Sequence, residues 1–139
     1  MTKKNGFTFI EVIVTVSIIS VLSVITIVSM KSLQINGRDA RRVNDINEIR
    51  GALNIYFAKY NQYPTAITAG ERFQIGNIIY LEKVPISPTP NTNALCVNND
   101  YLYATQNNNT SYTLNFCLER SFADLEAGNN QITPEGINN

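Results

Sequence analysis

The sequence predicts an α+β protein in which a long N-terminal helix lies, by its distal half, on a small antiparallel β-sheet. Three observations carry that prediction. From Phe7 to Met30 the chain reads FTFIEVIVTVSIISVLSVITIVSM, with Glu11 as its one charge and neither Gly nor Pro. Between Val43 and Tyr60, apolar side chains recur at steps of three and four. From Ser111 to Leu118 apolar and polar residues alternate. Length and charge bound the rest. The 139 residues suit one domain, and eleven Lys plus Arg balance eleven Asp plus Glu, so no basic surface is available to neutralise nucleic-acid phosphates. The chain has no His, the commonest general base and metal ligand, and no Gly-rich phosphate loop or nucleophile motif, so an enzyme is not expected.

The apolar run is the first element. As a helix rising about 1.5 Å per residue it extends roughly 36 Å, enough to cross a hydrocarbon core of about 30 Å. Its Val and Ile content is strand-like, but lipid obliges the backbone to satisfy itself internally, and a helix does so. The preceding MTKKNG carries Lys3 and Lys4, which keep the amino terminus cytoplasmic and place the body of the chain outside. A secretory signal has a shorter apolar core and a small-x-small cleavage site; here Lys31-Ser32-Leu33 follows Met30, so the helix is expected to stay. Glu11 costs about 2.5–3.5 kcal/mol near a membrane centre and less toward the headgroups. Either the headgroup region solvates or protonates it, or a cation meets it at depth.

The segment Lys3-Lys4-Asn5-Gly6-Phe7-Thr8-Phe9-Ile10-Glu11 resembles the class III signal of type IV pilins and type II secretion pseudopilins. The resemblance rests on a short basic leader ending in Gly, then Phe, then Glu four residues on, then an unbroken apolar helix. It implies that prepilin peptidase cuts between Gly6 and Phe7, that Phe7 becomes an N-methylated terminus, and that Glu11 serves assembly. A residue without a side chain at Gly6 admits a membrane protease close to the scissile bond, so a bulky residue there is expected to block processing. Cleavage creates an ammonium at Phe7, placed i, i+4 from Glu11, which can neutralise that carboxylate within one subunit or between neighbours and set axial register. Many type IV pilins carry Gly and Pro inside the apolar half; this chain has neither between Gly6 and Gly37. Thr8, Thr15, Ser17, Ser20, Ser23, Thr26 and Ser29 stud the segment instead, as small residues that bond back to the preceding turn.

Residues 31–60 form the second half of the helix. A hinge is expected at Asn36-Gly37, followed by the stripe Val43, Ile46, Ile49, Leu53, Phe57 and Tyr60. The opposite face carries Arg41, Arg42, Asp45 and Glu48, read as solvated, with Arg41 and Asp45 as an i, i+4 pair. Tyr63-Pro64 ends the helix. The run RRVNDINEIRGALNIYFAKYNQYPT is similar to the helix exit of the major pseudopilins, which points toward the secretion branch, although some pilins share it.

Residues 61–139 are the globular remainder. Ala66 to Asn99 reads as loop, with an apolar stretch from Phe73 to Leu81 and an extended connection at Pro85, Pro88 and Pro90. Tyr101–Thr105 and Ser111–Leu118 read as a hairpin across the Asn-rich Gln106–Thr110, and the apolar helical stripe is its one cover of sufficient length. In an exported chain Cys96 and Cys117 are expected to form a disulfide contributing roughly 3 kcal/mol; the alternative is two buried thiols. After Glu119 the chain reads as a polar tail. Resemblance to the secretion branch implies a calcium ion in a carboxy-terminal loop, but Glu119, Asp124 and Glu126 lack a regular oxygen-ligand spacing, so no metal or other cofactor is assigned.

These expectations sum to four segments: leader 1–6, membrane and filament-core helix 7–30, amphipathic half 31–60 and sheet region 61–139. The resemblance implies a pilus or pilus-like filament subunit, inserted in the cytoplasmic membrane and exposed at the surface or in the periplasm once assembled. Its implied partners are copies of itself, prepilin peptidase, an assembly platform protein, a motor ATPase and minor pilins. A pseudopilin of type II secretion or DNA uptake is the alternative, and a single-pass anchored binding module the competitor from another class. Loss of Lys3 and Lys4 with the leader shifts the side-chain balance from zero to −2.

Overall fold

The computed structural model describes residues 6–96 and 98–138. One long helix precedes six short strands: α1 (Phe9–Tyr60), β1 (Phe73–Ile75), β2 (Ile78–Leu81), β3 (Leu102–Gln106), β4 (Ser111–Leu118), β5 (Gly128–Thr133) and β6 (Gly136–Asn138). Two compact units divide the chain, Met1–Gln34 and Ile35–Asn139.

In the first unit, every described side chain from Phe7 to Lys31 is exposed. Helical periodicity therefore selects no buried face here; the segment is apolar all round, as a helix meant for an apolar solvent is. Its hydroxyls are satisfied internally. Thr15, Ser17, Ser20, Ser23, Thr26 and Ser29 each donate to a carbonyl three or four residues back, at 2.7–3.0 Å. Such bonds remove the desolvation penalty an unpaired hydroxyl carries in hydrocarbon.

In the second unit, the distal part of α1 packs on a four-stranded antiparallel sheet of order β3-β4-β5-β6, and β1 and β2 make a separate hairpin. Tyr112, Leu114, Phe116 and Leu118 alternate along β4 and bury against Ile46, Ile49 and Leu53 of α1, with Ile132 of β5 beside Leu114. Each such side chain contributes about 1.5–3 kcal/mol on leaving water. Tyr56 carries the small hairpin, its ring 5.6 Å from Phe73 and 5.3 Å from Tyr80. The helix stops at Asn61, whose φ of 55° is left-handed and whose N–H bonds the Phe57 carbonyl at 2.7 Å, an Asn-capped C-terminus ahead of Tyr63-Pro64.

Four sequence expectations are corrected. The helix runs through Asn36-Gly37 without a hinge, because the next turn, Arg38 to Arg42, is locked to the sheet as described below. The stretch 73–81 is not loop but the β1–β2 hairpin, turned at Gly76, whose φ is 59°. The C-terminal segment 128–138 is not a solvated tail: β5 and β6 extend the sheet. Its polar composition hid this, since only Gly128, Asn130 and Ile132 turn inward, and Asn130 is buried by donating to the Glu126 and Gly128 carbonyls at 2.9 and 3.0 Å. Finally, Arg42 and Asp45 are buried rather than solvated, and Asp45 accepts from the Tyr101 hydroxyl at 2.8 Å rather than standing as a surface partner of Arg41.

Arg42 lies at the centre of a buried ionic quartet. Its Nη1 donates to Asp39 at 2.7 Å and Glu119 at 2.9 Å, and its Nη2 to the Pro88 carbonyl at 2.7 Å. Arg38 grips Glu119 bidentately through Nε at 2.7 Å and Nη2 at 2.8 Å. Thr92 adds its hydroxyl to Glu119 at 2.6 Å, while Asp39 accepts the Glu119 and Arg120 N–H groups at 3.0 and 2.9 Å. Two guanidinium groups and two carboxylates thus join three segments: α1, the proline loop and the end of β4. The Arg38 guanidinium, then the Thr92 hydroxyl and Arg42, hold the Glu119 carboxyl far below the ordinary carboxylate range, against the opposing effect of burial. A lowered folded value means stability that is complete above the ordinary value of 4.5 and lost as pH falls below it. Urea midpoints measured from about pH 5 to about pH 2 are expected to fall, and to fall less in Glu119→Gln, which has no such proton to take up.

Cys96 and Cys117 are joined, with Cα atoms 5.7 Å apart and their positions separated by 21 in sequence. The bond ties the loop before β3 to the sheet, where Asn93 Nδ2 also donates to the Leu118 carbonyl at 3.1 Å. Replacing both cysteines by Ser is expected to lower stability by about 2–4 kcal/mol, read from equilibrium unfolding. An unchanged midpoint contradicts that expectation.

Candidate processing and assembly site

The site begins where α1 begins. Gly6, Phe7 and Thr8 precede the helix, and Phe7 is 88% exposed. Lys3 and Lys4, the charges assigned to the leader, lie outside the described residues. A Cβ built on Gly6 meets nothing within 4 Å, so the chain's own packing does not demand glycine here.

Thr8 is the N-cap. Its hydroxyl accepts from the Glu11 N–H at 3.3 Å, while its own N–H and hydroxyl both donate to Glu11 Oε2 at 2.8 Å. This reciprocal arrangement is a capping box, and it satisfies amide groups that the first turn leaves orphaned. A carboxylate in the first turn also meets the positive end of the helix dipole. In the intact chain it is therefore Thr8 that meets Glu11; Phe7, expected to share a helical face with Glu11, lies outside the helix. Oε2 takes both Thr8 bonds, and Oε1 accepts no hydrogen bond among the described residues.

Thr8 was legible as a cap, since Thr8-Phe9-Ile10-Glu11 fits the S/T-x-x-E pattern, but the apolar surroundings drew attention to Glu11 alone. The candidate calcium carboxylates are not gathered. Glu119 is committed to Arg38, Arg42 and Thr92, while Asp124 and Glu126 are exposed. Among the described residues no group of three His, Cys, Asp or Glu side chains is placed to hold a metal.

An exposed apolar helix that leads into a small antiparallel α+β unit, capped through a glutamate just after a glycine-phenylalanine junction, is a pilin-like arrangement. Residues 1–27 match the family model described as the prokaryotic N-terminal methylation motif. That motif is the class III prepilin signal of type IV pilins and pseudopilins, and with the apolar helix it fits a membrane-anchored precursor. The signal implies processing by prepilin peptidase and assembly into a filament. No curated protein and no solved structure matches the chain.

Proposed function

We propose that this chain is the structural subunit of a type IV pilus or pilus-like filament, cleaved between Gly6 and Phe7, N-methylated at Phe7 and polymerised through α1. The observation that supports it best is the first unit: from Phe7 to Lys31 every described side chain is exposed, and most of them are apolar. Exposed apolar surface on that scale needs a cover. Lipid supplies it in the precursor, and the helices of other copies supply it in a fibre.

Hydrolysis of the Gly6–Phe7 bond adds water, leaves the Gly6 carboxylate on the leader and gives Phe7 a free amine, protonated at neutral pH. Methylation keeps that nitrogen basic. Glu11 Oε1 is the acceptor left open by the Thr8 cap, so the new ammonium, from the same or the adjoining subunit, completes the carboxylate's hydrogen bonds. In a low-dielectric core the paired charges are tolerated where an unpaired one is not, and that difference fixes register. Glu11 is the assembly residue in this reading. Copies of the chain, prepilin peptidase, an assembly platform with its motor ATPase and minor pilins are its partners.

The pseudopilin reading is favoured by one feature, the helix exit ending in Tyr63-Pro64, which is similar to that of secretion-type subunits. Electron microscopy of cells producing the chain separates the two. Long surface filaments decorated by an antibody to this chain support the pilus; short envelope-confined assemblies support the pseudopilus.

A further inference from the structure

The capping box also decides which backbone groups near the amino terminus are free. A helix propagated one turn further would give the Ile10 N–H to the Gly6 carbonyl and the Glu11 N–H to the Phe7 carbonyl. Neither bond is made. The first helical bond runs from the Val12 N–H to the Thr8 carbonyl at 3.3 Å, and the Glu11 N–H goes to the Thr8 hydroxyl, also at 3.3 Å. Thr8 Oγ1 thus stands in for the Phe7 carbonyl. Among the described residues no backbone N–H bonds the Gly6 or Phe7 carbonyl, and Gly6, Phe7 and Thr8 are all exposed.

The Gly6 carbonyl is the group a peptidase must reach. In the processing reading, water adds to that carbonyl, the bond to the Phe7 nitrogen breaks, and the nitrogen leaves as an amine. Negative charge grows on the carbonyl oxygen during attack and is stabilised by donors that the enzyme brings. An oxygen held by a helical N–H is already committed, so the bond is cleavable only while it lies outside the helix. The surroundings push the other way. An apolar medium favours a backbone that satisfies itself, and an uncapped helix there lengthens toward the terminus.

We propose that Thr8 is a positioning residue for leader removal: by starting α1 at Phe9 it holds the scissile Gly6–Phe7 bond outside the helix. The inference rests on the processing reading of the Gly6–Phe7 junction. Thr8 acts through the population of the open form and not on the reacting atoms. Its hydroxyl is the decisive group, because that oxygen takes the Glu11 N–H which would otherwise seek the Phe7 carbonyl. The bonds from Thr8 to Glu11 Oε2 reinforce the cap, but Glu11→Ala keeps both the Thr8 hydroxyl and the N–H of position 11, so leader removal survives it.

The test uses the full precursor in detergent micelles with purified prepilin peptidase, and leader release is followed by mass spectrometry. Thr8→Val keeps the side-chain shape and removes the hydroxyl; Thr8→Ser keeps the hydroxyl. A substrate only partly in its cleavable form loses apparent affinity by that fraction, while turnover of the bound form is untouched. Thr8→Val is therefore expected to raise KM about fivefold at unchanged kcat, the size of a lost N-cap, and Thr8→Ser to keep the original KM. Backbone carbon shifts from NMR in the same micelles are expected to show helix reaching Gly6 in Thr8→Val but beginning at Phe9 in the unsubstituted chain and in Thr8→Ser. An unchanged KM in Thr8→Val, a fall in kcat alone, or a helix that still begins at Phe9 overturns the role of Thr8 and leaves the processing reading standing. An unsubstituted precursor that the peptidase does not cut between Gly6 and Phe7 overturns both.

Discussion

Arg42→Ala is expected to destabilise the Ile35–Asn139 unit by about 3–5 kcal/mol, as removal of one partner from a buried pair does. The Arg42 side chain is fully buried and neutralises Asp39 and Glu119, whose side chains are each only 1% exposed. Its loss strands two carboxylates against a single remaining guanidinium, Arg38, and frees the Pro88 carbonyl. Arg41→Ala, one residue away on the exposed face, is the control and is expected to shift stability by no more than about 0.5 kcal/mol. Equal effects from the two substitutions, read from urea unfolding of the full chain in detergent, contradict the clamp.

Glu11→Ala is expected to leave the leader removable and to abolish filaments. In the reading developed above, the carboxylate has two jobs: it caps the helix through Thr8, and it receives the amine made at Phe7. The first is worth about 1 kcal/mol and does not decide assembly. The second decides it, because alanine leaves an unpaired ammonium in an apolar fibre core, where unpaired charge is penalised by several kcal/mol. Glu11→Gln separates the two, since the amide still accepts from Thr8 but carries no charge. It is expected to keep helix content near the cap and to lose filaments as alanine does. Normal filament yield from Glu11→Gln would show that capping, not charge pairing, is what assembly needs.

How much of this was legible in the sequence depends on the range of the interaction. The apolar helix, its leader and the alternation along β4 are local patterns, and local patterns were readable. The buried quartet was not. Asp39, Arg42, Ile46, Ile49, Leu53 and Tyr56 continue one stripe at steps of three and four, so the two charges sit on the core-facing side; a search keyed to apolar residues stops at Val43 and assigns them to solvent. Nothing local marks Glu119, which lies 77 positions from Arg42 in sequence, as their partner. β5 and β6 are hidden for a related reason: their sequences, GNNQIT and GIN, are dominated by Gly, Asn and Gln, with Ile132, Thr133 and Ile137 too few to announce a strand, and pairing of β5 with β4 and of β6 with β5 makes them strands. At the helix start the miss was one of emphasis. The capping box was written in the sequence, and the C-terminal end of the chain was readable only in part, because the fate of Glu119 depended on arginines far upstream.

The central claim is that this chain is a precursor whose apolar helix becomes useful once an amine is made at its tip. Intact and peptide-level mass spectrometry of the chain from cells with prepilin peptidase tests it most directly. The account predicts loss of Met1–Gly6 and a terminal Phe7 that carries one methyl group. A chain that retains Lys3 and Lys4 through the leader, with no methylated Phe7, contradicts it and leaves α1 as a simple membrane tether.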